Sequence, residues 1–124
     1  MSAATSYTPF SEERGHLSAA LEGLAVELSK MLDRRLNCFL PGFAKAEAVK
    51  AMIPARRLIF DAQQCAYMLR QNYSVISCRE ADGFAVFADE ESQLLRQIMD
   101  DMEAAYLSGK KLTAALQVWM TGDA

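Results

Sequence analysis

The chain has 124 residues, of which 52% are apolar and 23% charged, with 13 Lys and Arg against 16 Asp and Glu. This composition excludes an intrinsically disordered chain, a fibrous protein and a molecule that is basic over its whole surface. The sequence contains no apolar run near the ~18 residues that span a bilayer, and its first eight residues lack the pattern of a secretory signal. We therefore expect a single cytoplasmic domain, 1–124, with residues 1–7 as a flexible tail.

The cysteines indicate reduced thiols. Cys38, Cys65 and Cys78 are odd in number and have no Cys-x-x-Cys spacing, so the sequence predicts neither a disulfide framework nor a zinc ribbon. Free cysteine behaves as a small apolar residue, and we expect these three in or near the core.

The first predicted helix runs from about Thr8 to Leu36. Thr8 can cap it with Pro9 in the first turn, and Ser11 offers a second possible start. The predicted apolar stripe has spacings of 4, 3, 4 and 3, which suit helix packing; it comprises Leu17, Leu21, Leu24, Leu28 and Met31.

Two further helices are predicted before a change of pattern. Pro41 and Gly42 end the first helix, and residues 44–52 form a short second one. Pro54 fits the first turn of a third helix that extends to about Gln71. Its predicted stripe is Leu58, Ala62, Cys65, Leu69 and Tyr73.

Residues 73–88 have the composition of a β-hairpin, because β-branched and aromatic residues flank an Asp82-Gly83 turn signal. A fourth helix is predicted from Asp89 to Ser108-Gly109, with Leu95, Ile98, Met102, Ala105 and Tyr106 on its apolar side. A fifth covers 110–120. The predicted fold class is thus mostly α, a single domain of about five helices with one β-hairpin (73–88) between helices 3 and 4.

Charge is segregated along the chain. Residues 31–79 carry eight cations and three anions, a net charge of +5, whereas residues 80–103 carry one cation and eight anions, a net charge of −7. Two interpretations stay open. The segments can be solvated surfaces that neutralise each other within one fold, or they can form opposite surfaces for a partner or for head-to-tail self-association.

The sequence offers little for catalysis. His16 is the sole histidine, and the chain has no phosphate-binding glycine loop and no Glu-x-x-His pair. We therefore predict no enzyme activity, no cofactor and no metal site.

The leading hypothesis is a small acidic protein-binding module, such as an adaptor, inhibitor or anti-activator, which forms a homodimer. A methionine side chain can adapt to the surface of a partner, and a tryptophan side chain can anchor it. A group of acidic residues can complement a basic surface of the partner. The candidate partner-binding residues are Trp119, Met120, Asp100, Asp101 and Glu103.

A second hypothesis is a dimeric winged-helix DNA-binding regulator, since a helix, a short helix, a third helix and a hairpin follow in that order. Its basic surface would comprise Arg56, Arg57, Gln63, Gln64 and Arg70. Glu80 and Asp82 at the tip of the wing disfavour nucleic acid, because phosphates would approach there. A third hypothesis is a secretion or effector chaperone. No residue in the sequence distinguishes it from the first hypothesis, a protein-binding module.

Overall fold

A computed structural model describes residues 4–37, 41–71, 76–81, 84–87 and 89–121. Within these residues there are three helices, α1 (Ser11–Leu36), α2 (Gly42–Leu69) and α3 (Asp89–Thr121). The same part of the chain contains three short strands, β1 (Ala4–Tyr7), β2 (Ile76–Ala81) and β3 (Phe84–Phe87). The helices pack on one another as a bundle, and the predominance of helix is confirmed.

The prediction of five helices is wrong, because two local break signals do not end a helix. Pro54 lies inside α2, and Ser108-Gly109 lies inside α3. In both cases the buried stripe continues across the break. In α2 it comprises Met52, Ala55, Ile59, Ala62, Ala66 and Leu69, and in α3 it comprises Ile98, Ala105, Leu112 and Leu116. Tertiary packing of a continuous stripe outweighs a local propensity of about 1–3 kcal/mol.

The β part of the predicted fold class is also corrected. The described residues do not form a lone two-stranded hairpin over 73–88, since β2 is the middle strand of an antiparallel sheet with the order β1-β2-β3. Thr5 pairs with Cys78, and Cys78 pairs with Phe87. Residues 4–7, which the sequence assigns to a tail, supply β1. The predicted turn at Asp82-Gly83 lies outside the described residues, as do Cys38 and Tyr73.

Helix α1 begins at the second of its two predicted starts. Ser11 is its first residue, and Phe10 occupies the cap position with a φ of 52° and no capping side-chain hydrogen bond. Thr8 therefore does not cap the helix. A non-glycine residue with positive φ is uncommon, so the entry into α1 depends on the packing around it, including the buried Pro9.

The core of α1 is offset from the predicted stripe. The fully buried apolar residues are Leu21, Ala25, Leu28 and Leu32, in register with the buried Ser18 and Arg14. Leu17 and Leu24 are half-buried instead. They line a surface groove of about 360 Å³ between α1 and α3, together with Tyr106 of α3, which is itself exposed.

Small residues bring α1 and α2 close together. Ala25, Ala62 and Ala66 are buried, and the hydroxyl of Ser18 donates a hydrogen bond to the backbone oxygen of Ala66 at 3.3 Å. A side chain as short as serine reaches the backbone of a neighbouring helix only when the two helices lie near each other. The core is therefore tight and rich in alanine between these helices.

A buried arginine fastens the start of α1 to the end of α2. Arg14 is only 5% exposed. Its Nε donates to the backbone oxygen of Pro9 at 3.0 Å, and its terminal nitrogen donates to the oxygens of Leu69 and Gln71 at 3.1 and 3.3 Å. The last carbonyls of a helix lack partners within the helix and carry partial negative charge. The guanidinium thus caps α2 from outside.

The helices alternate in direction. The start of α1 contacts the end of α2, through Arg14 and Leu69, and the end of α1 contacts the end of α3, through Arg35 and Trp119. Helix α2 is therefore antiparallel to both α1 and α3. The strands connect to the bundle at the end where α1 begins, α2 ends and α3 begins. Over the described residues, no helix is both long and apolar enough to cross a bilayer.

Candidate protein-interaction face

Exposed apolar side chains are concentrated on α2. In the part of the chain whose side chains are described, thirteen large apolar residues are exposed, and six of them belong to α2: Phe43, Val49, Ile53, Phe60, Tyr67 and Met68. Single exposed apolar residues are ordinary, but a contiguous set on one element indicates an interaction surface. In the described part of the chain, six is the largest number of such residues on one helix, and α3 has five.

Four of these residues form a straight line, which we call the α2 stripe: Val49, Ile53, Phe60 and Tyr67. Their spacings of 4, 7 and 7 place them within about 40° of one another around the helix and over a length of about 27 Å. Their exposures range from 49% to 61%. Helix α2 therefore has two apolar stripes, one buried in the core and one facing outward.

Cations border the α2 stripe. Lys50 and Arg57 are exposed and one heptad apart, so they lie on the same edge of α2. Neither has an ion-pair partner among the residues that the structure describes. An unpaired cation beside apolar surface is suited to an acidic partner, because the pair forms without first breaking another one.

The predicted basic surface lies on the same helix, but part of it is engaged with α1. Arg56 pairs with Asp33 at 2.9 Å, and Arg70 pairs with Glu22. Arg57, Gln63 and Gln64 are exposed. The residues of the predicted basic surface lie on both edges of the α2 stripe: Arg57 and Gln64 are on one edge, and Arg56, Gln63 and Arg70 are on the other. The apolar stripe between them was not predicted.

The winged-helix arrangement is absent from the described residues. It requires a short helix and a recognition helix separated by a turn. Residues 42–69 are instead one helix, and residues 44–52 and 54–69 are its two halves. The Arg56–Asp33 and Arg70–Glu22 pairs also occupy cations that would have contacted phosphates.

Trp119 and Met120 lie at the opposite end of the bundle from the strands, in a surface pocket of about 410 Å³ with Met31, Arg34 and Arg35. Trp119 is half-buried against the core. The Arg35 guanidinium lies 5.7 Å from the centroid of its indole ring, and donates a hydrogen bond to its backbone oxygen at 3.3 Å. Trp119 thus joins the end of α3 to the end of α1, while Met120 is 73% exposed.

The predicted acidic residues are not near that pocket. Asp100, Asp101 and Glu103 precede Trp119 by at least 16 residues of the same helix, which is about 24 Å. Asp100 and Glu103 are exposed, and Asp101 accepts a hydrogen bond from Gln97 at 3.1 Å. The structure therefore separates the predicted partner-binding residues into two distant groups.

Cys65 shows which edge of α2 lies next to α3. It is a half-buried free thiol. Burial raises its pKa, and the carboxylates of Asp61 on α2 and Asp101 on α3 raise it further. Asp61 is one helical turn after Arg57 on the same edge. The Lys50–Arg57 edge of the α2 stripe is therefore the edge nearest to α3.

The acids of the second charged segment and half of the cations of the first lie towards opposite ends of the bundle. The first half of α3 carries the exposed or half-buried acids Glu90, Glu91, Asp100, Asp101 and Glu103, next to the strands. The start of α2, with Lys45 and Lys50, and the end of α1, with Arg34 and Arg35, lie at the other end. Because α2 and α3 are antiparallel, these four cations and the α3 acids do not neutralise one another within one copy, whereas Arg70 lies at the acidic end.

No family model matches the sequence, and no curated protein or solved structure is significantly similar to it. These comparisons assign no activity or partner. Within the described residues, no group of three or more His, Cys, Asp or Glu side chains is placed to hold a metal ion.

Proposed function

We propose that the chain is a cytoplasmic protein-binding module that acts through helix-mediated contacts, without catalysis, and that the α2 stripe is its binding face. The observation that carries this proposal is the line of Val49, Ile53, Phe60 and Tyr67 along 27 Å of one helix. A partner helix laid against it would extend the bundle by one more helix.

The energy available from the stripe is adequate for such a contact. Complete burial of a large apolar side chain yields roughly 1.5–3 kcal/mol, and about half of each side chain is still exposed here. Covering all four therefore supplies roughly 3–6 kcal/mol, before the cost of association. Charged neighbours such as Lys50 and Arg57 add selectivity for acidic surfaces rather than much affinity.

The test is capture of binding partners from the native cell with a tagged chain, compared between two matched variants. Phe60→Asp places a charge in the α2 stripe. Tyr106→Asp places the same charge at an aromatic residue of nearly equal exposure, 56% against 59%, on the groove between α1 and α3. Circular dichroism verifies that both variants fold.

We expect a co-purifying protein that is lost with Phe60→Asp and kept with Tyr106→Asp. Equal recovery with the two variants, or loss with both, contradicts the assignment of the binding face. Crosslinking through a photoreactive residue at position 60 then identifies the contacting segment of the captured protein.

A further inference from the structure

We infer that the occupant of the α2 stripe is a second copy of this chain, packed antiparallel. The two-fold axis would run between the two copies, perpendicular to α2 and beside Phe60. This inference rests on the proposed function, because it names the partner of the same face. Three features of the described residues support it: the apolar stripe, the end-to-end charge separation, and the side of α2 on which the unpaired cations lie.

The first step concerns direction. The two ends of the bundle carry opposite charge, with Lys45 and Lys50 at one end of α2 and Asp100 and Glu103 at the level of its other end. A parallel copy would place like charges opposite each other. An antiparallel copy places the basic end of each bundle over the acidic end of the other, which is the arrangement that electrostatic complementarity favours.

The second step concerns the lateral position of the charges. A rotation of 180° about an axis perpendicular to the helices reverses α2 but leaves α3 on the same side of it. Arg56 and Arg70 pair with α1 from one edge of α2, and Lys50 and Arg57 lie on the opposite edge, which is the one nearer to α3. In the antiparallel pair these cations therefore lie on the same lateral side as the partner's α3, and Lys50 lies near the level of the partner's Asp100.

The third step concerns the apolar contact. With the axis near Phe60, this ring meets the partner's Phe60, and Ile53 lies opposite the partner's Tyr67. Three residues of the α2 stripe, Ile53, Phe60 and Tyr67, are thus covered by the same three residues of the other copy, and Val49 lies at the margin of the contact. A two-fold interface is self-complementary in this way and closes as a dimer, without forming a filament.

The size of the face predicts a weak dimer. A face 27 Å long and two helices wide, about 20 Å, covers roughly 500 Å² on each copy and about 1,000 Å² in total. This area is at the lower limit of specific interfaces. We therefore expect a dissociation constant of roughly 10–100 µM at low salt.

Sedimentation velocity of the purified full chain, from about 5 to 200 µM, tests the inference across this range. We expect a monomer–dimer equilibrium that weakens at least tenfold with Phe60→Asp and is unchanged by Tyr106→Asp. A monomer at 200 µM overturns the inference, and so does a dimer that Phe60→Asp leaves intact.

A charge exchange tests the antiparallel arrangement. Each contact occurs twice across a two-fold axis, so Lys50→Glu and Asp100→Lys should each weaken the dimer by about fivefold at 50 mM salt. The double variant carries the reversed pair and should regain most of the lost affinity. Single losses that simply add in the double variant contradict the antiparallel arrangement.

These outcomes distinguish this inference from the proposed function. If the chain is a monomer but still captures another protein in a Phe60-dependent manner, the second copy is not the occupant, and the α2 stripe is still a protein-binding face. If the chain is a monomer and capture does not depend on Phe60, both proposals fail.

Discussion

Replacement of the buried Arg14 by methionine should destabilise the fold by about 3 kcal/mol. Methionine retains an unbranched apolar stem but cannot donate hydrogen bonds to the oxygens of Pro9, Leu69 and Gln71. A hydrogen bond from a charged donor contributes roughly 1.5–3 kcal/mol when buried. We take a smaller value here, about 1 kcal/mol for each of the three bonds, because an open surface cavity borders Arg14 and Gln71 and admits water.

The assay is urea denaturation followed by helical circular dichroism, at about 2 µM protein so that association does not contribute. Lys30→Met, an exposed change of the same charge on the same helix, is the control and should cost at most about 0.5 kcal/mol. Arg14→Lys keeps the positive charge but has fewer hydrogen-bond donors in fixed directions. Its free energy of unfolding should fall by roughly half as much as that of Arg14→Met. A loss below about 1 kcal/mol for Arg14→Met, or equal losses for it and Lys30→Met, would refute the capping role.

Three further changes test the bundle by the same urea assay. Pro54→Ala should stabilise the chain by about 1–2 kcal/mol, because it restores an amide that can donate to the oxygen of Lys50; an unchanged midpoint contradicts this. Ala62→Leu should destabilise it by about 1–3 kcal/mol, since α1 leaves no room for the larger side chain; a neutral effect would show a looser core. The raised pKa of Cys65 keeps its proton on in the folded state. Its contribution to stability is therefore complete below pH ~8 and lost as pH rises above the unfolded thiol's pKa, near 8.5. Between pH 8 and 10 the wild-type chain should lose stability relative to Cys65→Ala, and parallel pH profiles would contradict the shift.

The helices were predictable from the sequence, and their ends were less so. Heptad spacing marked the helical segments correctly, but Pro54 and Ser108-Gly109 were interpreted as ends of helices. Pro54 is exposed, so the carbonyl that it leaves without a donor is on the solvent side of α2. Gly109 faces α1, where a Cβ would lie 3.7 Å from Leu21. Both residues are tolerated because the buried stripe on the other positions is uninterrupted, which a local rule does not take into account.

The candidate site was only partly predictable. Arg57, Gln63 and Gln64 are all exposed on α2, but the proximity of Arg56 to Asp33 and of Arg70 to Glu22 depends on how α1 packs. Trp119 and the acids of α3 were grouped by charge and residue type alone, and the length of the helix places them far apart. The interval of seven between Ile53, Phe60 and Tyr67 was the signal in the sequence that would have revealed the α2 stripe.

The two stripes of α2 also explain why that signal is ambiguous. A preference for large apolar residues in the core would place Phe60 and Tyr67 inside, yet Ala62 and Ala66 are the buried residues. The reason is the close approach of α1, which the bond from Ser18 to the Ala66 backbone requires. Bulky residues cannot occupy the narrow contact around Ala62 and Ala66, and the larger buried residues of α2, Met52, Ile59 and Leu69, lie at other positions of its inner side. The position of the α2 stripe on the outer side, in heptad register over five turns, is what a second helix–helix contact needs.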